Sequence, residues 1–148
     1  MKTRFALAAL LLAAVAVVSL RAADADKDAL KDVKCPVSAK AINKDATVEF
    51  NGGKVYFCCE NCPKAFKADN AKFAAKANHQ LVQTGQLVQI ACPITGKDVN
   101  KDAYSEIEGV KVSYCCNNCK GKVEKADKDE KLKLAFGDTS KSFKPAKK

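Results

Sequence analysis

The sequence is poor in several residue types that would otherwise suggest a function. It has no tryptophan, a single methionine (Met1) and a single histidine (His79). One methionine and one histidine are too few to supply a thioether or an imidazole ligand to each of two equivalent metal sites. Arginine occurs only at Arg4 and Arg21, although arginine is the side chain best suited to read phosphates and bases in a bidentate way. The remaining basic residues are lysines interleaved with acids, so we expect a solvated surface and no nucleic-acid partner.

The motifs of common enzymes are also missing. There is no glycine-rich phosphate loop, no nucleophile elbow, and no acidic cluster with metal-ligand spacing. His79 does not neighbour a cysteine, and its polar surroundings predict an exposed surface histidine rather than a ligand. We therefore expect a binding protein and not an enzyme.

The N-terminus has the layout of a secretory signal. Lys2 and Arg4 precede an apolar run at Phe5–Leu20, and Ala23–Ala25 gives an A-x-A cleavage match. Residues 1–25 are predicted to be a signal peptide, which makes the mature chain periplasmic or secreted and without a transmembrane domain. An uncleaved anchor is the alternative, although the run is short for a membrane span.

Eight cysteines stand out against these absences, and they form a repeat. A shift of 57 residues superimposes all of them without a gap, and "CPVSAKAINKDA" then matches "CPITGKDVNKDA". The aligned pairs are Cys35 with Cys92, Cys58 with Cys115, Cys59 with Cys116, and Cys62 with Cys119. Such self-similarity indicates one structural unit made twice. The predicted units are residues 27–83 and 84–137, followed by a lysine-rich tail, 138–148, that we expect to be mobile.

Each unit has the same expected order of elements. A Cys-Pro loop precedes two short strands, which in the first unit are Thr47–Phe50 and Lys54–Cys58, joined by a turn at Asn51–Gly53. The second strand runs into a C-x-x-C at the start of a helix. Asp69 is typical of the N-cap of a further helix that ends near Gly85. The predicted fold is therefore small α+β, with two tandem treble-clef-like units stabilised by cysteines.

Three chemistries suit these cysteines. Thiolates at a helix N-terminus favour a soft metal such as zinc or copper(I), with three or four sulfurs in each of two sites. The candidate ligands are Cys35, Cys58, Cys59, Cys62, Cys92, Cys115, Cys116 and Cys119. Adjacent strand residues point to opposite faces, so we expect only one of Cys58 and Cys59 to join Cys62, unless the strand has already ended there.

Two alternatives stay open. Export and an even cysteine count favour a disulfide-stapled interaction module without metal, for example with Cys35 paired to Cys62. A thiol redox protein is less favoured, because a unit of about 57 residues has no room for the scaffold that presents a thioredoxin-like C-x-x-C.

The cysteine spacing resembles a known family. C-x22-C-x3-C occurs twice, and "CPVSAK…FNGGKVYFCCENCPKAF" resembles the cysteine-rich TRASH domain of heavy-metal proteins and the related YHS domain. The resemblance implies that Cys35, Cys58 and Cys62 are metal ligands, and the same positions in the second unit. Cys59 and Cys116 are extra, and Ala39 replaces the usual glycine. It further implies metal sensing, buffering or delivery, with metal ions and a metal-handling or envelope protein as partners.

Overall fold

The computed structural model describes residues 30–147. The predicted signal peptide, residues 1–25, lies outside the described residues. Within them the chain folds as small α+β, with four helices and three two-stranded antiparallel sheets.

Two of the sheets are hairpins that repeat one another. The first pairs β1 (Asn43–Phe50) with β2 (Gly53–Phe57), and the second pairs β4 (Asn100–Ile107) with β5 (Val110–Tyr114). Their registers are the same after the 57-residue shift, including an irregularity near the start of the first strand of each. The duplication expected from the sequence is therefore present in the backbone.

The hairpin turns have two residues each. Asn51 and Gly52 have φ of 49° and 79°, and Glu108 and Gly109 have φ of 48° and 79°. Two successive positive φ values fit the two-residue turn that matches the twist of paired strands. The Asn-Gly prediction is thus confirmed, and the second unit makes the same turn with a glutamate in a region that side chains disfavour.

Two helices follow each hairpin. They are α1 (Asn61–Ala68), α2 (Asn70–Gln83), α3 (Asn117–Glu124) and α4 (Lys128–Phe136). The predicted cap is confirmed, since the Asp69 side chain accepts a hydrogen bond from the Lys72 N–H at 3.2 Å. Asp127 caps α4 in the same way, through the Glu130 N–H at 2.9 Å.

The two units share one core. The largest fully buried apolar side chains come from both units and belong to one hydrophobic cluster: Val55, Phe57, Phe66 and Leu81 from the first, and Val112, Tyr114, Val123 and Phe136 from the second. Neither unit alone buries a large core, so contact between them supplies part of the burial that each needs.

Helix α2 makes much of this contact. Ala77 and Leu81 on its apolar face are fully buried, and the Asn78 side chain donates to the Phe136 carbonyl at 2.7 Å. The His79 ring packs edge-on against Phe136 and lies 3.1 Å from the Ile107 carbonyl oxygen. The expectation of an exposed histidine is therefore wrong: His79 is half-buried, because the face of α2 that carries it meets the second unit.

The C-terminal residues also differ from expectation. Instead of a mobile tail, Phe143–Pro145 forms a strand, β6, that pairs antiparallel with β3 (Leu87–Gln89). Phe143 is buried, and the Ala146 N–H donates to the Gln86 carbonyl at 2.9 Å. The end of the chain thus returns to the segment that links the two units.

Candidate metal centre

The first cysteine of each unit lies in a tight loop. The Cys35 N–H donates to the Lys40 carbonyl at 2.9 Å, and the Ala39 N–H donates to the Cys35 carbonyl at 2.8 Å. Ala39 closes this loop with φ of 58°, in the left-handed region. Backbone N–H groups of this loop, those of Val37 and Ser38, hydrogen-bond the Cys35 sulfur. The loop therefore holds the sulfur in place and stabilises its thiolate form.

The next three cysteines lie at the junction between strand and helix. Strand β2 ends at Phe57, so Cys58 and Cys59 are outside it, and Cys62 is the second residue of α1. Because the strand has already ended before Cys58, the rule that adjacent strand residues point to opposite faces does not apply to Cys58 and Cys59. Both sulfurs lie near that of Cys62.

The sulfur atoms of the first unit are close together. The Cys58 and Cys62 sulfurs are 3.5 Å apart. Those of Cys35, Cys58 and Cys62 all lie within 4.8 Å of one another. Cys35 and Cys62 are buried and Cys58 is half-buried. We call these three residues the first triad.

The second unit builds the same arrangement. The Cys92 N–H donates to the Lys97 carbonyl at 2.8 Å, and Gly96 (φ 69°) closes the loop. The sulfurs of Cys92, Cys115 and Cys119 lie within 4.8 Å of one another and form the second triad. The Cys115 and Cys119 sulfurs are 3.6 Å apart.

These separations suit a thiolate-bound metal. Four sulfurs placed tetrahedrally at the zinc–sulfur distance of about 2.3 Å are about 3.8 Å apart. A disulfide requires about 2.05 Å, and in the described part of the chain, which contains all eight cysteines, no pair is at bonding distance. The sulfurs of each triad are therefore close enough to bind one soft ion.

A hydroxyl group adjoins each triad. The Ser38 Oγ lies 3.1 Å from the Cys58 sulfur, and the Thr95 Oγ1 lies 3.3 Å from the Cys115 sulfur. Sequence reasoning missed both residues, although the 57-residue shift aligns them. A hydroxyl that donates to a metal-bound thiolate orients that ligand and spreads its charge.

The thiols of each triad differ in acidity. Burial opposes ionisation of Cys35, but hydrogen bonds from the Ser38 side chain and from the backbone of Ser38, Cys58 and Val37 outweigh it and lower its pKa to about 7. Burial, with the neighbouring thiols and the charge of Cys35, raises the pKa of Cys62 to about 12. One thiolate is thus ready at neutral pH, whereas another must lose its proton as a metal binds.

The second triad repeats this split. Burial again opposes ionisation, but the backbone of Cys115, the Thr95 side chain and the backbone of Ile94 and Thr95 together lower the pKa of Cys92 to about 7. Burial and the neighbouring thiols raise the pKa of Cys119 to about 12. The two units therefore produce the same pattern of thiol pKa values, with different side chains at matching positions.

The two extra cysteines lie beside the triads. The Cys59 sulfur is 3.7 Å from that of Cys58 and 3.6 Å from that of Cys62. Backbone N–H groups of Cys62 and Asn61 at the start of α1 lower the pKa of Cys59. Cys116 lies 3.8 Å from Cys115, and the Cys119 N–H lowers its pKa first of all.

The structure thus brings six of the eight predicted ligands into two triads and leaves Cys59 and Cys116 adjacent to them. His79 belongs to neither triad. Comparisons with protein-family models, with curated proteins and with solved structures found no significant match to this chain. Among the described residues, no helix has the length and apolar character needed to cross a bilayer.

Proposed function

We propose that this protein is an exported binder of soft metal ions. Each triad holds one zinc or copper(I) ion through its thiolates, and the protein serves in metal sensing, buffering or delivery. Its role is binding and not catalysis.

One observation carries the proposal: two sets of three cysteine sulfurs, each within 4.8 Å, are built from separate copies of one unit. Both copies keep the tight loop, the hydroxyl contact and the acidity pattern, although Ser38 is replaced by Thr95 and Ala39 by Gly96. Soft sulfur ligands select copper(I), zinc and similar ions over magnesium or calcium.

The resemblance to TRASH and YHS domains, with their treble-clef site, supports the same function. The signal-like N-terminus supports action in the periplasm or outside the cell. There the protein would meet a metal-handling or envelope protein as donor or acceptor.

The test is metal stoichiometry on protein kept free of oxygen. Reduced protein is titrated with zinc and, separately, with copper(I), each in competition with a chromophoric chelator. Native mass spectrometry and a free-thiol count follow. The proposal predicts two ions per chain. Reduced protein that takes up neither ion would overturn it, and full loss of free thiols without bound metal would favour the disulfide-stapled module.

Single substitutions assign the sites. Cys35→Ser is expected to remove the ion of the first triad, and Cys92→Ser that of the second. Each variant retains the other site and so controls for general unfolding. If either variant still binds two ions with unchanged affinity, the triad assignment is wrong.

A further inference from the structure

Each unit places four sulfurs in two overlapping sets. Cys58 and Cys62 belong to both sets. Cys35 completes the triad, whereas Cys59, at 3.7 and 3.6 Å from the shared sulfurs, completes a second group of three. Cys59 is not among the sulfurs that all lie within 4.8 Å of one another, so the sulfur too far from it is that of Cys35. A metal bound to Cys35, Cys58 and Cys62 therefore cannot also be bound to Cys59 in this arrangement.

The two sets differ in their access to solvent. Cys35 is 2% exposed and Cys62 is 8% exposed, whereas Cys59 is exposed and Cys58 is half-buried. The shared sulfurs of Cys58 and Cys62 thus lie between a buried ligand, Cys35, and an exposed ligand, Cys59. An ion can pass between them by exchanging one sulfur while it keeps the other two.

The second unit places its four sulfurs similarly, with the Cys116 thiol beside those of Cys115 and Cys119. The Cys115 sulfur is 3.6 Å from Cys119 and 3.8 Å from Cys116. Cys92 is fully buried, and Cys116 is half-buried. The residues between the cysteines differ, Glu60-Asn61 in one unit and Asn117-Asn118 in the other. The overlap therefore follows from the turn between strand and helix.

The geometry points to Cys59 and Cys116 as exchange ligands, through which a soft metal ion passes between each triad and a thiolate-bearing donor or acceptor. This inference rests on the proposed function and names the chemical class of the partner. It also assigns a role to the two cysteines that the three-cysteine motif does not include.

The transfer is a series of sulfur-for-sulfur replacements. The Cys59 thiolate forms a bond to the donor-held ion, the donor's sulfur–metal bond breaks, and the donor thiolate takes up the proton that Cys59 gave to solvent. Cys58 and Cys62 then replace the remaining donor sulfurs, and each departing donor thiolate takes up the proton given up by the thiol that replaces it. Finally Cys35 bonds to the ion and the bond to Cys59 breaks. The oxidation state of the metal does not change.

The test separates rate from affinity, with zinc as the probe. Zinc uptake from, and release to, a chromophoric chelator are followed by stopped flow for the reduced wild type and for Cys59→Ser with Cys116→Ser. The double variant is expected to bind two zinc ions with affinity within about threefold of wild type, while both rates fall at least tenfold. Asn61→Ser with Asn118→Ser, which alters exposed residues at matching positions, is the control and should exchange at the wild-type rate.

The single variant Cys59→Ser gives an internal control, because only half of the bound zinc should exchange slowly. Unchanged rates would overturn the inference. A tenfold loss of affinity in the double variant would also overturn it, since that result makes the two cysteines resident ligands. Failure of the wild type itself to bind zinc or copper(I) refutes the proposed function, and is distinguished from the other outcomes because it precedes any comparison of variants.

Discussion

The two units keep the same sulfur geometry while their surroundings differ. The first unit uses Ala39, Ser38 and a 14-residue α2, whereas the second uses Gly96, Thr95 and a nine-residue α4. Buried Phe66 in the first corresponds to buried Val123 in the second. The difference shows which parts depend on one another: loop closure, the hydroxyl and the strand-to-helix turn are common to both, and the packing behind them is free to vary.

The side chains that pair with the outer edges of the two hairpins also differ between the units. In the first unit the Gln80 amide bonds the N–H and the carbonyl of Tyr56, at 2.7 and 2.9 Å, and the Lys34 carbonyl at 3.0 Å. In the second unit Gln89 bonds the N–H and the carbonyl of Ser113, at 2.9 and 2.7 Å, and the Ala91 carbonyl at 2.9 Å. Tyr56 and Ser113 match after the shift, but the glutamines do not. Each amide pairs an edge that would otherwise attract another strand.

Among these predictions, substitution of the two glutamines should give the largest difference in free energy of unfolding between the units. Gln80 is buried, so Gln80→Ala leaves three backbone groups poorly paired and should lower the free energy of unfolding by about 3 kcal/mol. Half-buried Gln89→Ala should cost about 1 kcal/mol, because water can replace the amide. Urea denaturation measures both losses. The control is Gln83→Ala, which lies on the same helix as Gln80. Equal losses for Gln80 and Gln89 would contradict the account.

The hydroxyls are expected to matter equally in both units. Ser38→Ala and Thr95→Val each remove a hydrogen bond to a triad sulfur, and loss of such a contact typically weakens metal binding by about tenfold or more. We expect about tenfold for each, confined to the site of the substituted unit. Competition titration of the single variants measures this. No change in either affinity would show that the hydroxyls only fill space.

A smaller effect is expected from the loop residues at positive φ. Gly96→Ala should destabilise the protein by about 1 kcal/mol, since alanine is strained in the left-handed region. Ala39→Gly should be neutral or slightly stabilising, because relief of strain is offset by added freedom of the unfolded chain. Thermal unfolding of the two variants checks this reversal of sign. A stabilising Gly96→Ala would contradict the equivalence of the two loops.

The smallest expected effect is on the pH dependence of stability. It comes from His79, which lies at the contact between the units and can bind at most one proton. Burial lowers the pKa of His79 more than the Ile107 and Glu108 carbonyls and the Glu108 charge raise it. The unfolded chain therefore binds the proton more readily, so this contribution to stability is complete above about pH 6.5 and is lost as pH falls through the folded pKa. His79→Gln should remove that part of the pH dependence, as measured by urea denaturation from pH 7.5 to 5. An identical slope in the variant would refute it.

Much of the site could be predicted from the sequence, because its determinants are local. The hairpin turn at Asn51–Gly52, the Asp69 cap and the spacing from Cys58 to Cys62 each depend on residues close in the chain. The 57-residue repeat then doubles every local prediction. Small α+β architecture follows from the same signals.

Other features depend on distant residues and could not be predicted. In strand β6, Phe143 pairs with Gln89, more than fifty residues earlier, and nothing near Phe143 in the sequence indicates that partner. His79 is half-buried because the second unit covers it. The positions of Cys59 and Cys116 depend on where the strand ends, and a one-residue shift of that point changes which sulfurs meet.

The central claim is that each triad binds a soft ion through sulfur, and X-ray absorption of the zinc-loaded protein at two ions per chain tests it most directly. The account predicts that sulfur atoms at about 2.3 Å dominate the first coordination shell of the zinc. The Cys35→Ser and Cys92→Ser proteins should each bind half as much zinc, and the zinc that remains should still be coordinated by sulfur. A shell dominated by nitrogen or oxygen ligands would contradict it.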